Sequence, residues 1–105
     1  MTDFIVINEL QVKRQDEESL MTWHEASTSL TDGWRLPTKE ELDLLYQHKD
    51  VVGGFANYGY WSSTEYSSTD AWYQFFTNGN QYYYFNNKYY TLPVRAVRAI
   101  EMGYK

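Results

Sequence analysis

The residues whose types could do chemistry are few. The chain has two histidines, His24 and His48, an acidic cluster of Glu40, Glu41 and Asp43, and a hydroxyl run, Ser62-Ser63-Thr64. A zinc hydrolase would need His and carboxylate ligands at helical spacing, and no such spacing surrounds either histidine. His24 falls within a predicted helix and His48 at the end of one, so both read as surface residues. The three acids fall in the first turns of a helix, where carboxylates favour the positive end of the macrodipole. A paired-carboxylate hydrolase needs two acids set across a cleft instead. The hydroxyl run lacks a third residue to orient a base. It reads as a strand whose hydroxyls satisfy local backbone. With no cysteine there is no thiol nucleophile, disulfide or Cys-ligated metal. No glycine-rich phosphate loop occurs, and Gly53-Gly54 reads as a flexible turn. No catalytic residue, metal or cofactor is expected.

A different chemistry stands out in "GNQYYYFNNKYY", Gly79 to Tyr90, which holds five of the eleven tyrosines. Tyrosine offers a large rigid contact area with two side-chain torsions to freeze, and Ser, Asn and Gly add adaptable hydrogen bonds. Consecutive tyrosines such as Tyr82-Tyr83-Tyr84 cannot all face one core. The bland alternative is a wet, aromatic-rich sheet face with its loops. Strand alternation places Tyr82 with Tyr84 and Tyr73 with Phe75. With Tyr89 and Tyr90 these rings are expected to form one exposed surface.

The elements that position this tract read as follows. "FIVI" and "LQVK" flank Asn8-Glu9 as a hairpin. Thr22 to Glu25 and Thr38 to Glu41 are capping boxes, predicting helices from about Trp23 to Leu30 and from Thr38 to about His48. Leu42, Leu45 and Tyr46 give the second helix a buried stripe. "AWYQFF", "QYYYF" and "YYTLPVRAVRAI" read as strands, with turns at Asn78-Gly79 and Asn86-Asn87. The class is α+β. Trp34, Leu36, Leu42, Leu45, Trp61 and Val97 are expected in the core. Alternation in "PVRAVRAI" puts Arg98 on the face of Val94, Ala96 and Ile100, where it needs a carboxylate, Glu65 or a glutamate of the second helix.

At 105 residues and net charge −5, the chain suits one domain that does not bind nucleic-acid phosphates. Residues 1–56 carry 11 acids and 5 bases, against 3 and 4 in residues 57–105, so the aromatic half is nearly neutral. No apolar run is long enough to insert in a membrane. The start "MTDFIVINEL" lacks a basic n-region and an apolar core, so no signal peptide is read. A cytoplasmic or virion-associated protein is expected, or a chain trimmed of its leader.

"GWRLPTKEELDLLY", "GGF", "YWSSTEY", "AW", "NGN" and "VRAVR" occur in an order that resembles bacterial and phage C-type-lectin-like domains. That group includes the C-terminal domain of a collagen-like bacterial adhesin and the wider formylglycine-generating-enzyme fold. The resemblance spans about Leu10 to Ile100. The chain is also similar to the variable proteins of diversity-generating retroelements, whose adenine-directed mutagenesis turns Asn codons into Tyr, Ser, Asp, Thr and Phe codons. The frame of such cassettes matches Tyr60 to Tyr66, Ala71-Trp72, Phe76, Asn78 to Asn80, Lys88 and Val94 to Arg98. The resemblance implies two helices packed on a small twisted antiparallel sheet with long loops. It further implies a scaffold of about residues 1–66 and 93–105, and a display region of about 67–92. The ligand-binding residues it points to are Ser67, Thr69, Asp70, Tyr73, Phe75, Tyr82, Tyr84, Asn86, Asn87, Tyr89 and Tyr90. The expected ligand is a protein or cell-surface structure. The chain departs from calcium-dependent sugar binders in lacking Glu-Pro-Asn and Trp-Asn-Asp triplets, and from the fold's enzyme branch in lacking cysteine. Two rival readings remain: a structural or homo-oligomerisation domain, and a small hydrolase-type enzyme using Ser/Thr and Glu65.

Overall fold

A computed structural model of the chain describes residues 3–83 and 87–100. The N-terminal hairpin forms as read. Strand β1 (Phe4–Ile7) pairs antiparallel with β2 (Leu10–Lys13), Ile5 opposite Val12, and Asn8 takes the turn at φ 57°. Asparagine tolerates that left-handed conformation better than most residues.

Both capping boxes are present. Helix α1 (Trp23–Ser29) starts where Thr22 Oγ1 accepts the Glu25 N–H and the Glu25 carboxylate accepts the Thr22 N–H. Helix α2 (Lys39–Gln47) repeats this with Thr38 and Glu41. The Glu41 carboxylate also takes both guanidinium nitrogens of Arg35, at 2.7 and 3.0 Å. Burial alone would raise its pKa; the Arg35 and Thr38 hydrogen bonds outweigh that and hold it below the ordinary range. A short helix that the sequence reading did not anticipate, α3 (Lys49–Val52), follows directly.

The second half folds as β3 (Gly59–Glu65), β4 (Ala71–Phe75), β5 (Gln81–Tyr82) and β6 (Val97–Ala99). There are two sheets rather than one. β6 returns to the N-terminal hairpin in the order β1-β2-β6, while β3-β4-β5 form a second antiparallel sheet. "QYYYF" supplies only two described strand residues, and "YYTLPVRAVRAI" is strand only at its end. Asn87–Tyr89 form a single 3-10 turn.

Two clusters of buried side chains fill the interior. In one, Val12 and Val97 of the first sheet join Leu42 and Leu45 of α2, Tyr60 of β3 and Phe76. Ala26, Leu36, Trp61, Ala71, Tyr73 and Val94 form the other. Five of the six expected core residues are buried. Trp34 is not: it is half-buried, with the Arg98 guanidinium 4.1 Å above its ring.

That stack corrects the reading of Arg98. Its Nε donates to Gln11 and its Nη1 to the Asp32 carbonyl, while Glu65 pairs instead with Lys88 at 2.6 Å. The buried arginine is Arg95, with no exposed surface. Residues 93–96 are not regular strand, so period-two alternation does not apply to them. Arg95 Nε donates to Asp16 Oδ1 at 2.9 Å, and Nη1 donates to the carbonyls of Lys13 and Gly53. Its Nη2 is also 2.9 Å from Asp16 but lacks an aligned hydrogen bond. The ion pair with Asp16 satisfies the charge. Gly54 (φ +77°) must be glycine here, since a Cβ would lie 2.9 Å from the Arg14 carbonyl.

The other oxygen of Asp16 accepts the Tyr60 hydroxyl at 2.7 Å, and that hydroxyl accepts the Ala56 N–H. Burial, then the carboxylate partner, push the Tyr60 pKa far above the ordinary tyrosine range.

Trp61 has no exposed surface and donates its indole N–H to the Met21 carbonyl. Trp61→Ala should therefore cost roughly 3–5 kcal/mol in urea denaturation, as a large-to-small core change; an unshifted midpoint would contradict its place in the core. Tyr60 makes a pH prediction. Because its folded pKa is raised, the hydroxyl's stabilisation is complete below the unfolded tyrosine pKa of about 10 and is lost as pH rises above it. The stability gap between wild type and Tyr60→Phe should narrow between pH 9 and 11. A constant or widening gap would refute the buried hydroxyl–carboxylate pair.

Candidate functional site

The second sheet sorts its aromatic residues by strand alternation. Tyr73 and Phe75 face one way, and the β4–β5 register sets Tyr82 opposite Tyr73. The four rings of Tyr73, Phe75, Tyr82 and Tyr90 form one cluster. Tyr73 contacts Phe75 at 5.7 Å, Tyr82 at 6.0 Å and Tyr90 at 6.4 Å between centroids, and Phe75 meets Tyr82 at 5.5 Å. The cluster grades outward from the core. Tyr73 packs edge-on against Trp61 and is 8% exposed; Phe75 and Tyr82 are half-buried; Tyr90 is 39% and Tyr89 81% exposed. Tyr73 is thus a core residue rather than a displayed one. It supports the exposed rings.

The opposite face meets α2. Gln74, fully buried, donates to Asp43 and to the Gly79 carbonyl and accepts from Gln81. Gln81 in turn donates to the Lys39 carbonyl. Beside these amides lies a second ring cluster. Tyr66 and Tyr83 approach to 3.8 Å, Trp72 lies 4.6 Å from Tyr83, and Tyr66 stands at 87° to Trp72. The Lys39 ammonium sits 3.7 Å above the Trp72 ring. Tyr66 is 55% exposed, and its hydrogen bond with Tyr83 raises its pKa. Tyr66, Trp72, Tyr83 and Lys39 are not among the residues expected from the sequence to bind ligand. Alternation offered the signal, because positions 72 and 83 fall on the face opposite positions 73 and 82.

Four of the polar residues expected to bind ligand, Ser67, Thr69, Asp70 and Asn87, hydrogen-bond within the chain. Ser67 Oγ accepts the N–H groups of Thr69 and Asp70, and the Ser67 and Thr69 hydroxyls both reach the Asp70 carboxylate. The other Asp70 oxygen accepts the Asn87 N–H. Asn87 has no exposed surface, so it cannot present its side chain to a ligand. Its amide pairs with the backbone of Ala71, accepting the N–H at 2.9 Å and donating to the carbonyl at 2.7 Å. This is the hydrogen bonding a neighbouring strand would supply. Lys88 holds the next turn, through Glu65 and the Ser68 carbonyl, with its ammonium over Trp23. Tyr84 and Asn86 lie outside the described residues.

The residues considered for catalysis are engaged elsewhere. Ser62 is buried and donates to the Trp72 carbonyl; Thr64 Oγ1 accepts the Lys39 N–H. His24 is exposed, and His48 Nδ1 lies 3.0 Å from the Leu44 carbonyl. Among the described residues no three His or acidic side chains group as a metal site, and no helix is long and apolar enough to cross a membrane.

The family model of the Lcl C-terminal domain matches residues 8–98. The chain belongs to that family, and its α+β architecture is C-type-lectin-like. No curated protein matches it.

The Asn87 amide satisfies two backbone groups of a buried strand. Asn87→Ala should cost about 2–4 kcal/mol of unfolding free energy, because both Ala71 groups lose their partner. Thermal and urea melts check this; a variant as stable as wild type would mean that the contact is incidental.

Proposed function

We propose that this domain is a non-catalytic binding module that displays aromatic side chains on its second sheet to a protein or cell-surface ligand. In this reading the domain is single. Its scaffold is about residues 1–66 and 93–105, and its display region about 67–92. The observation that carries the proposal is the graded cluster from Tyr73 out to Tyr90. Exposed rings there rest on buried ones, and the loop polar groups beneath them are satisfied by the chain itself. A surface built this way presents rings without leaving buried polar groups for the ligand to satisfy.

The division of labour also supports a variable-protein role. Cassette-frame positions Tyr60, Trp61, Ala71, Phe76 and Val94 to Val97 are all buried. Substitution there would disturb the core. Positions between them include Tyr82, Tyr89 and Tyr90, where substitution changes the surface more than the fold. Family membership is in keeping with adhesin-like ligand binding. The buried Ser62 hydroxyl weighs against the hydrolase reading.

The experiment is a binding screen of the labelled domain against arrayed surface proteins, followed by alanine variants at Phe75, Tyr82, Tyr89 and Tyr90. Two or three of these should each lose about 2 kcal/mol of affinity, as hot-spot residues do. Tyr89→Ala and Tyr90→Ala should melt within a few degrees of wild type. Variants that bind normally, or that self-associate less without any change in ligand binding, would favour a structural or oligomerisation domain.

A further inference from the structure

The charged groups around the second sheet are nearly all paired within the chain. Lys88 is held by Glu65, and Asp70 by two hydroxyls and the Asn87 N–H. Arg35, beside the start of α2, is held by Glu41. Lys39 differs. Its ammonium lies over the Trp72 ring at 3.7 Å with no carboxylate or hydrogen-bond acceptor among the described residues. None of the neighbouring acids forms an ion pair with it: Glu41 binds Arg35, Asp43 accepts from Gln47 and Gln74, and Glu40 is exposed.

A cation over a ring keeps its full charge, since the ring contributes only its quadrupole. While the surface is wet, water completes the ammonium's hydrogen bonding. Once a ligand covers Tyr66, Tyr83 and Trp72, that water is lost, and an unpaired desolvated charge is costly. The ligand must therefore bring an anionic acceptor to Lys39. The exposed ring of Tyr66 and its partner Tyr83, joined to Trp72, offer apolar faces immediately beside it.

We infer that the Tyr66–Trp72–Tyr83 cluster with Lys39 is a recognition site for a partner-protein segment that carries a carboxylate next to an aromatic side chain. This rests on the binding-module reading and adds the chemistry of the partner. The occupant is complementary twice over, ring against ring and carboxylate against ammonium. Residues 57–105 carry 3 acids and 4 bases, so this half of the chain adds no net negative charge to oppose a carboxylate.

The test uses isotope-labelled full chain and three capped tripeptides: Phe-Asp-Phe, Phe-Asn-Phe and Phe-Lys-Phe. The Asp peptide should give saturable NMR shifts at the Trp72 indole and the Tyr66 ring, at least tenfold tighter than the Asn peptide, with the Lys peptide weaker still. Lys39→Gln should abolish the preference for Asp over Asn, and Lys39→Arg should retain it. Both variants should melt within a few degrees of wild type, because they keep the Lys39 backbone bonds with Thr64 and Gln81, and one ammonium–ring contact at the surface adds little to stability. Equal binding of the Asp and Asn peptides overturns the inference, as does an unchanged preference in Lys39→Gln or no saturable shift at all. Glucuronate shifting the same resonances as tightly would replace the protein partner with a carbohydrate acid. If Tyr90→Ala weakens an array ligand while Lys39→Gln does not, the binding-module reading stands and this inference falls.

Discussion

A buried amide fixes where the loop that carries Tyr89 and Tyr90 meets the second sheet. Strand β4 needs partners on both edges, and at Ala71 the second partner is the Asn87 side chain, with both hydrogen bonds of a strand pair. A buried backbone group without a partner is costly, so the loop that carries Asn87 must return to this place. Asp70 reinforces the return by accepting the Asn87 N–H, and Lys88 repeats it one residue on. The exposed rings of Tyr89 and Tyr90 follow immediately. A loop with little regular structure thus has a defined end point, and the display surface inherits its geometry.

Much of the scaffold was legible because its signals are local. The two capping boxes, the Asn8 turn and the leucine stripe of α2 each depend on residues three or four apart. Their physics is complete within one turn of chain. The Arg95 site was not legible, because its partners come from residues 13, 16 and 53. Nothing within "VRAVR" distinguishes Arg95 from Arg98 unless the strand is known to begin at Val97. Assuming alternation across the whole run exchanged the two arginines. Alternation in β4 was read correctly for Tyr73 and Phe75, but which end of that stripe meets Trp61 is a tertiary fact. Tyr73 was therefore expected outside and is buried. The split into two sheets was hidden for the same reason, since β6 pairs with β2 across most of the chain.

The composition that first drew attention to residues 79–90 has two uses. Tyrosine's ring buries well, as Tyr60 and Tyr73 do, and its hydroxyl can find a partner such as Asp16. Asparagine mimics backbone, as Asn87 does. A tract rich in both can therefore supply frame and surface from the same small set of residue types. Burial, not residue type, separates the two roles.

That separation is the central claim, and a displayed library tests it most directly. Tyr82, Tyr83, Tyr89 and Tyr90 would be randomised together. The variants would be sorted in parallel for protease resistance and for binding to several unrelated proteins. Most variants should resist protease as the parent does, and different targets should select different residues at these positions. Widespread loss of resistance, or one residue set emerging whatever the target, would contradict it.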